Sequence, residues 1–259
     1  MVEVIYIATD DYSKYFEGFA ETIKYFLPGV PKIVRVLSNI EMDYSIDCED
    51  VQRVEFIKIF DLFYPCINLN KTNFINQLKE TEAEYLFYFD ADTKFLPVDN
   101  EVWDNLKYFL DYDFFCISKH PFYQLKDSIE WKKNSINRFF KEFTTRDETQ
   151  NSYIPQNEYT YIISSFFCAN RRTMKRICDK IDEMTRGDLR RCNGYKIPMF
   201  LDENYFNKIV FNAEFLGDKT YNIKVGDYIL LNGCESNLNS TENFLMQKNI
   251  NTNFKRLRM

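Results

Sequence analysis

Tyr85-Leu-Phe-Tyr-Phe-Asp90-Ala-Asp92-Thr-Lys-Phe95 limits what this chain can fold into more than any other stretch of it. Its first five residues are all aromatic or apolar. A run with no polar face to give to water predicts a strand buried on both sides, as in a parallel sheet covered by helices. The run ends in aspartates at i and i+2, which point the same way where the chain stays extended. Carboxylates at the carboxyl edge of an open α/β sheet stand where such folds bind ligands. Two readings follow from these residues alone. The pair holds a divalent cation that in turn holds a phosphate, or it opens a solvated turn.

The preceding chain supplies a setting for the first reading. Residues 2–8 predict a strand, and Tyr15, Phe16, Phe19, Ala20, Ile23, Phe26 and Leu27 predict an amphipathic helix with Ser13 as N-cap, stopped by Pro28 and Gly29. Residues 33–37 predict the next strand. The opening is then a βαβ unit in a parallel sheet, which sets the loop from Ala8 to Tyr12 on the same edge as Asp90 and Asp92. A nucleotide would sit there. Further along, the pattern predicts strands over 53–60 and 114–117, helices over 70–80, 100–110 and 129–143, and an extended core segment over 159–168. Met174, Ile177, Ile181 and Met184 share one helical face, with Gly187 as the expected stop. Residues 197–204 read as a turn into another helix, and 228–231 as a late strand.

Composition narrows the class. With 259 residues, only 7 Gly and 7 Pro, and no low-complexity tract, the chain is expected to form one α/β domain. A net charge of −6 argues against a nucleic-acid partner. The 7 cysteines never form Cys-x-x-Cys and there is 1 His, so a zinc site is not expected; free thiols in a reducing compartment are, which together with the absence of a signal-like or membrane-spanning run predicts a cytoplasmic location. The 25 Phe and 18 Tyr fill a core, and tyrosine also suits a carbohydrate site, where a ring face stacks on sugar C–H groups and the hydroxyl still bonds.

Beyond Asp90 and Asp92, two polar clusters stand out, His120-Pro121 and Asp202-Glu203. Their order and surroundings resemble the family 6 retaining glycosyltransferases, which include the histo-blood-group A and B transferases, the α1,3-galactosyltransferase and small bacterial-type members. Ile197-Pro-Met-Phe-Leu-Asp202-Glu203-Asn204-Tyr-Phe-Asn-Lys208 looks like that family's Trp-His-Asp-Glu-Ser-x-x-Asn-Lys block. Tyr153-Ile-Pro155 and the segment through Phe167 are similar to its Tyr-Ile-Pro and Tyr-Tyr-x-Gly-Gly-Phe-Phe strand, and the resemblance spans nearly the whole chain.

The resemblance implies a GT-A-type fold, a mostly parallel central sheet flanked by helices, with residues 1–95 as the nucleotide-binding part and 96–259 as the acceptor-binding and catalytic part. It implies a UDP-sugar donor, Mn²⁺ or Mg²⁺, and transfer of galactose or N-acetylgalactosamine with retention to the 3-OH of a galactoside acceptor. Ile7, Ala8, Thr9 and Tyr12 match the uridine loop; Asp90 and Asp92 match the metal ligands; Glu203 matches the catalytic carboxylate and Asp202 a contact to the donor sugar. His120 and Phe200 match acceptor-side contacts, and Lys255, Arg256 and Arg258 resemble a basic tail that closes over the diphosphate. Ile163 and Ser165 fall where the family reads the C2 substituent, and Ser165 in place of a smaller residue favours galactose. Leu201 replaces the family's His, Phe200 its Trp, and Lys71 is the basic residue nearest to an arginine the family carries before its metal-binding strand. The alternatives are a retaining GT-A enzyme of another family, glycogenin-like in kind, and a module that binds sugar nucleotide or glycan without catalysis.

Overall fold

The computed structural model describes residues 1–60, 62, 66–95, 101–113, 115–119, 162–191 and 202–211, and the strand residues 228–232, 234–236, 244–245, 250–251 and 254–257. Four parallel strands form one side of a sheet: β1 (Val2–Ile7), β2 (Lys32–Ser38), β3 (Val51–Lys58) and β4 (Tyr85–Asp90), in the order β3-β2-β1-β4. After β5 (Thr93–Phe95) come β6 (Phe115–Lys119), β7 (Ile162–Asn170) and β8 (Tyr228–Asn232). Antiparallel β7 lies between β4 and β6, and β8 runs parallel to β6. β9 (Cys234–Ser236), β10 (Phe244–Leu245), β11 (Ile250–Asn251) and β12 (Phe254–Leu257) complete the strands; β10 and β11 extend the main sheet, while β5, β12 and β9 form a second, three-stranded one. The result is a mixed α/β fold with a mostly parallel central sheet flanked by helices.

Alternation along the central strands sends side chains to two separate cores. On one face, Val2, Val4 and Tyr6 of β1 and Phe87 and Phe89 of β4 pack on α1 (Phe16–Thr22) and α3 (Glu101–Asp111). On the other, Ile5, Ile7, Leu86 and Tyr88 pack on α2 (Cys66–Asn76), α4 (Arg171–Arg191) and α5 (Asp202–Phe211). Every residue of β1 is buried, as a strand covered on both faces requires. Phe89 has its ring against Phe26, Phe95 and Phe166 at 5.1, 4.9 and 5.0 Å, so removing it would cost about 3–5 kcal/mol. No helix among the described residues is long and apolar enough to cross a membrane.

Some boundaries differ from the sequence pattern. The helix expected from Ser13 is broken into a 3₁₀ turn at Asp10–Tyr15, α1, and a second 3₁₀ turn at Ile23–Tyr25. Thr22 donates its hydroxyl to the Gly18 carbonyl at 2.7 Å, a back-bond that bends a helix, and Ser13 is no N-cap but lies inside the first 3₁₀ turn with its hydroxyl 3.4 Å from that of Ser38. α2 begins and ends earlier than expected, and α4 continues through Gly187 to Arg191, because burial of Ile177, Ile181 and Met184 outweighs a glycine penalty of about 1 kcal/mol. The expected helix over 129–143 lies outside the described residues.

Candidate functional site

β1 and β4 pair in parallel with Ile7 opposite Asp90, so the loop after β1 and the acid pair after β4 share the carboxyl edge of the sheet. The loop is held from two sides. The Ala8 amide donates to the Leu37 carbonyl at 3.0 Å and the Tyr12 amide to the Thr9 carbonyl at 3.0 Å. Asp10, at φ 48, donates its amide to the Asn39 side chain at 3.0 Å and accepts from the Asn39 amide group at 2.8 Å. Left-handed backbone is uncommon outside glycine, and aspartate tolerates it better than most residues. Ile7, Ala8 and Thr9 are buried by this arrangement, while Tyr12 stays half exposed with its ring edge on Tyr15.

β4 stops at Asp90, and Ala91 and Asp92 form a turn into β5, so the strand alternation that would align the two carboxylates does not continue through Asp92. Asp90 faces α2. Its Oδ1 accepts from the Tyr88 hydroxyl at 2.7 Å and stands 3.4 Å from the Lys71 ammonium. Asp92 is buried next to β5; burial, with smaller additions from Tyr44 and Asp92, raises the Tyr6 phenol, which packs in the core on the α1 side of the sheet.

Lys71 is the centre of the arrangement. Only 3% of its side chain is exposed. Its ammonium lies 2.8 Å from Asp202 Oδ2, donates to the Ser164 carbonyl at 3.1 Å and hydroxyl at 3.2 Å, and sits 5.0 Å from the centre of the Tyr88 ring. Burial alone would discharge such an amine, but Asp202, then Asp90 and Glu203, outweigh it and hold the Lys71 pKa above its ordinary value. Burial pushes the Asp202 carboxyl upward, with Lys71 and Ser164 pulling it back.

Each member of the cluster is set by its own element. α2 is fastened to α4 by Asp182, which accepts from Thr72 at 2.6 Å and Asn76 at 2.8 Å, so Lys71 cannot rotate away without breaking both bonds. Ser164 reaches Lys71 because Ile117 pairs with Phe167 while Ser118 pairs with Ile163, and residues 164–166 bulge out of the β6 ladder; bulges re-aim side chains in this way beside functional sites. Asp202 and Glu203 begin α5, where the helix dipole favours negative charge, and buried Tyr205, Phe206 and Ile209 anchor that helix to the core. Asp202 is buried, whereas Glu203 is partly exposed, with its backbone carbonyl accepting from Asn207 at 2.8 Å. Ile163 and Ser165 are buried on β7 beside Ser164.

The last strand also arrives here. β12 pairs with β5 so that Lys255 stands opposite Lys94 and Arg256 opposite Thr93, the residue after Asp92. Phe254–Leu257 is thus backbone-paired rather than a loose tail. His120, Phe200 and Arg258 lie outside the described residues.

No family model matches the chain, and no curated protein matches its sequence. The side chains themselves must therefore carry the functional reading.

Among the described residues no group of three or more His, Cys, Asp or Glu could hold a metal ion. Two aspartates suffice only for a hard cation whose shell is completed by phosphate and water oxygens, the manner in which Mg²⁺ is held in many phosphate sites. Asp90 and Asp92 offer oxygen donors of that kind at the carboxyl edge of the sheet, Asp90 turned toward Lys71 and Asp92 in the turn before β5. Sequence reasoning named Lys71 only as the basic residue nearest to a family arginine, and gave Ser164 no role at the site. Lys71 carried a signal, since it stands three and four residues before Phe74 and Ile75 and so lies on the apolar stripe of its own helix. Ser164 carried none, because a bulge leaves no mark on composition.

Proposed function

We propose that this protein is a metal-dependent retaining glycosyltransferase of the GT-A type, moving galactose or N-acetylgalactosamine from a UDP-sugar to the 3-OH of a galactoside. One observation carries the reading: Asp90 from the end of β4 and Asp202 from the start of α5 meet on a single buried lysine, at the same sheet edge as the loop after β1. Three carboxylates, Asp90, Asp202 and Glu203, act on this ammonium, and acids gathered from separate elements at one sheet edge suit a ligand that brings hydroxyl groups and developing positive charge.

In this reading Ile7, Ala8, Thr9 and Tyr12 bind the uridine, Asp90 and Asp92 hold Mn²⁺ or Mg²⁺ with the diphosphate, and β12 brings Lys255 and Arg256 to the same turn. When bound, the cation neutralises charge on the departing diphosphate. Asp202, fixed by Lys71, accepts from hydroxyls of the donor sugar. Glu203, the more exposed acid, stabilises the positive charge that gathers at the reacting carbon as the glycosidic bond breaks, the role that a retaining transfer assigns to a carboxylate opposite the leaving group. Ser165, buried next to the Lys71 contact, leaves little room for an N-acetyl group and favours galactose. His120 and Phe200 would serve the acceptor. A cytoplasmic location belongs to the same proposal, supported by free thiols at Cys48, Cys66, Cys116, Cys168 and Cys178.

The test is UDP release from UDP-galactose, UDP-GalNAc, UDP-glucose and UDP-GlcNAc, with Mn²⁺ or EDTA, in the presence and absence of lactose. Release that needs Mn²⁺, prefers UDP-galactose and collapses in Asp92→Asn is expected. Absence of Mn²⁺-dependent release from every donor would overturn the proposal.

A further inference from the structure

β3 closes one end of the main sheet, and no described residue pairs with its outer edge. The direction of its backbone groups follows from the ladder. The Ile59 amide donates to the Ser38 carbonyl at 3.0 Å, and successive residues of a strand face alternate sides, so Val54, Phe56 and Lys58 turn their amides and carbonyls away from β2. Such an edge is a template for a further strand, and proteins commonly block it with charged side chains. The charges on β3 block it selectively.

A second copy of β3, related by a twofold axis through one residue of the strand, pairs antiparallel and brings outward-facing groups against outward-facing groups. An axis at Arg53 or at Glu55 sets that residue against itself, like charge on like charge. An axis at Phe56 sets Glu55 against Ile57 and Lys58 against Val54. An axis at Val54 sets Arg53 opposite Glu55 of the second copy and Glu55 opposite its Arg53, while the two Val54 residues exchange both backbone hydrogen bonds. Opposite charges directly across a strand pair stabilise it and like charges do the reverse.

The side chains suit that register. Arg53 and Glu55 are both partly exposed, and Arg53 donates to Glu55 of its own chain at 2.6 Å and to Glu82 at 2.8 and 3.1 Å. These bonds use three of the five guanidinium N–H groups and leave two for the Glu55 of a second copy. On the other face of the strand, exposed Phe56 stacks on Tyr44 at 5.3 Å, beside exposed Ile40 and Met42 of the same loop. With the axis at Val54, Phe56 lies diagonally across from Val54 of the second copy, a separation that an aromatic ring can span.

We propose that β3 is a homodimer interface, two copies pairing antiparallel about Val54 and joining their main sheets edge to edge. Antiparallel pairing turns the carboxyl edges of the two sheets to opposite ends, one candidate site at each. The interface stands apart from the proposed function.

The test is the mass of the full chain in sedimentation equilibrium over a range of concentrations, for wild type, Arg53→Glu and Glu55→Arg. Wild type should reach twice the mass of one chain. Each variant alone sets like charges against each other twice and should stay at the mass of one chain, with circular dichroism showing it folded. Mixed together, the two variants set Glu opposite Arg twice and should recover the dimer, a rescue that damage to the fold would not allow. Should either variant fail to fold, hydrogen exchange of wild type decides: the Val54 and Phe56 amides should exchange more slowly as protein concentration rises. A wild type that stays monomeric, variants that stay dimeric, or a mixture of monomeric variants that forms no dimer would each overturn the interface. Val54 and Phe56 amides protected equally at every concentration would do the same, since the chain itself would then cover the edge.

Discussion

Two ion clusters occupy the same face of the sheet at opposite ends, and they are built differently. At the amino end, the fully buried Glu3 is met by Arg171 at 2.9 Å, Arg35 at 3.5 Å and the Thr81 hydroxyl at 2.5 Å, and Arg35 pairs in turn with Glu55. Acids and bases there match, and Arg171 also ties its own helix to the Ala83 carbonyl at 2.9 Å. At the carboxyl end, Lys71 is buried among carboxylates that come from separate elements, Asp90 from β4 and Asp202 and Glu203 from α5, at the edge beside the loop after β1. The amino-end network ties strands and a helix together below the sheet's ligand-binding edge; the carboxyl-end cluster lies at that edge, and this separates a candidate site from a brace.

The comparison can be broken most forcefully at Lys71. Lys71→Met leaves Asp202 and Asp90 without their buried cation and should lower unfolding free energy by about 3–5 kcal/mol in a denaturant titration. Loss of UDP release should accompany it. Glu203→Gln should do the reverse of a brace mutation, reducing kcat by roughly 10²–10³ while stability stays within about 0.5 kcal/mol. Unaltered kcat would remove Glu203 from the mechanism. Arg171→Met at the other end should cost about 1–3 kcal/mol, less than Lys71→Met because Arg35 and Thr81 still serve Glu3, with kcat intact in the folded fraction.

The smallest effect concerns pH. The Lys71 pKa is held above its ordinary 10.5, so its contribution to stability is complete below that pH and is lost as pH climbs through the folded value. Unfolding midpoints followed into strongly alkaline buffer should therefore decline more steeply for wild type than for Lys71→Arg, whose guanidinium keeps its charge. Parallel declines would mean that Lys71 does not titrate against the carboxylates.

What the sequence disclosed follows from the range of the forces involved. β1, β4 and the apolar face of α4 are written in local periodicity, and the shared edge of the β1 loop with Asp90 follows from the handedness of a βαβ unit. The break of the first helix depended on the Thr22 back-bond to Gly18, a competition between near-equal local options. The meeting of residues 71, 90, 164 and 202 is different in kind, because it requires a bulge in β7 and the docking of α2 on α4 through Asp182. No window of sequence contains both halves of that contact. Asp92 leaving the direction of Asp90 is a similar case, since where a strand yields to a turn is decided by the partner strand.

The pairing of β12 with β5 also fixes an order of events in synthesis. Thr93–Phe95 leaves the ribosome long before the strand that covers it, Phe254–Leu257. Until then the segment just after Asp92 has its Phe95 amide bonded to the Thr22 hydroxyl at 3.1 Å but lacks its partner strand, the kind of edge on which chains aggregate. A contact of such sequence separation forms slowly. A chain not yet made through Leu257 would therefore have the carboxyl edge of β1 and β4 assembled and the strand over Thr93–Phe95 missing, and this stage is where a chaperone would have most to protect.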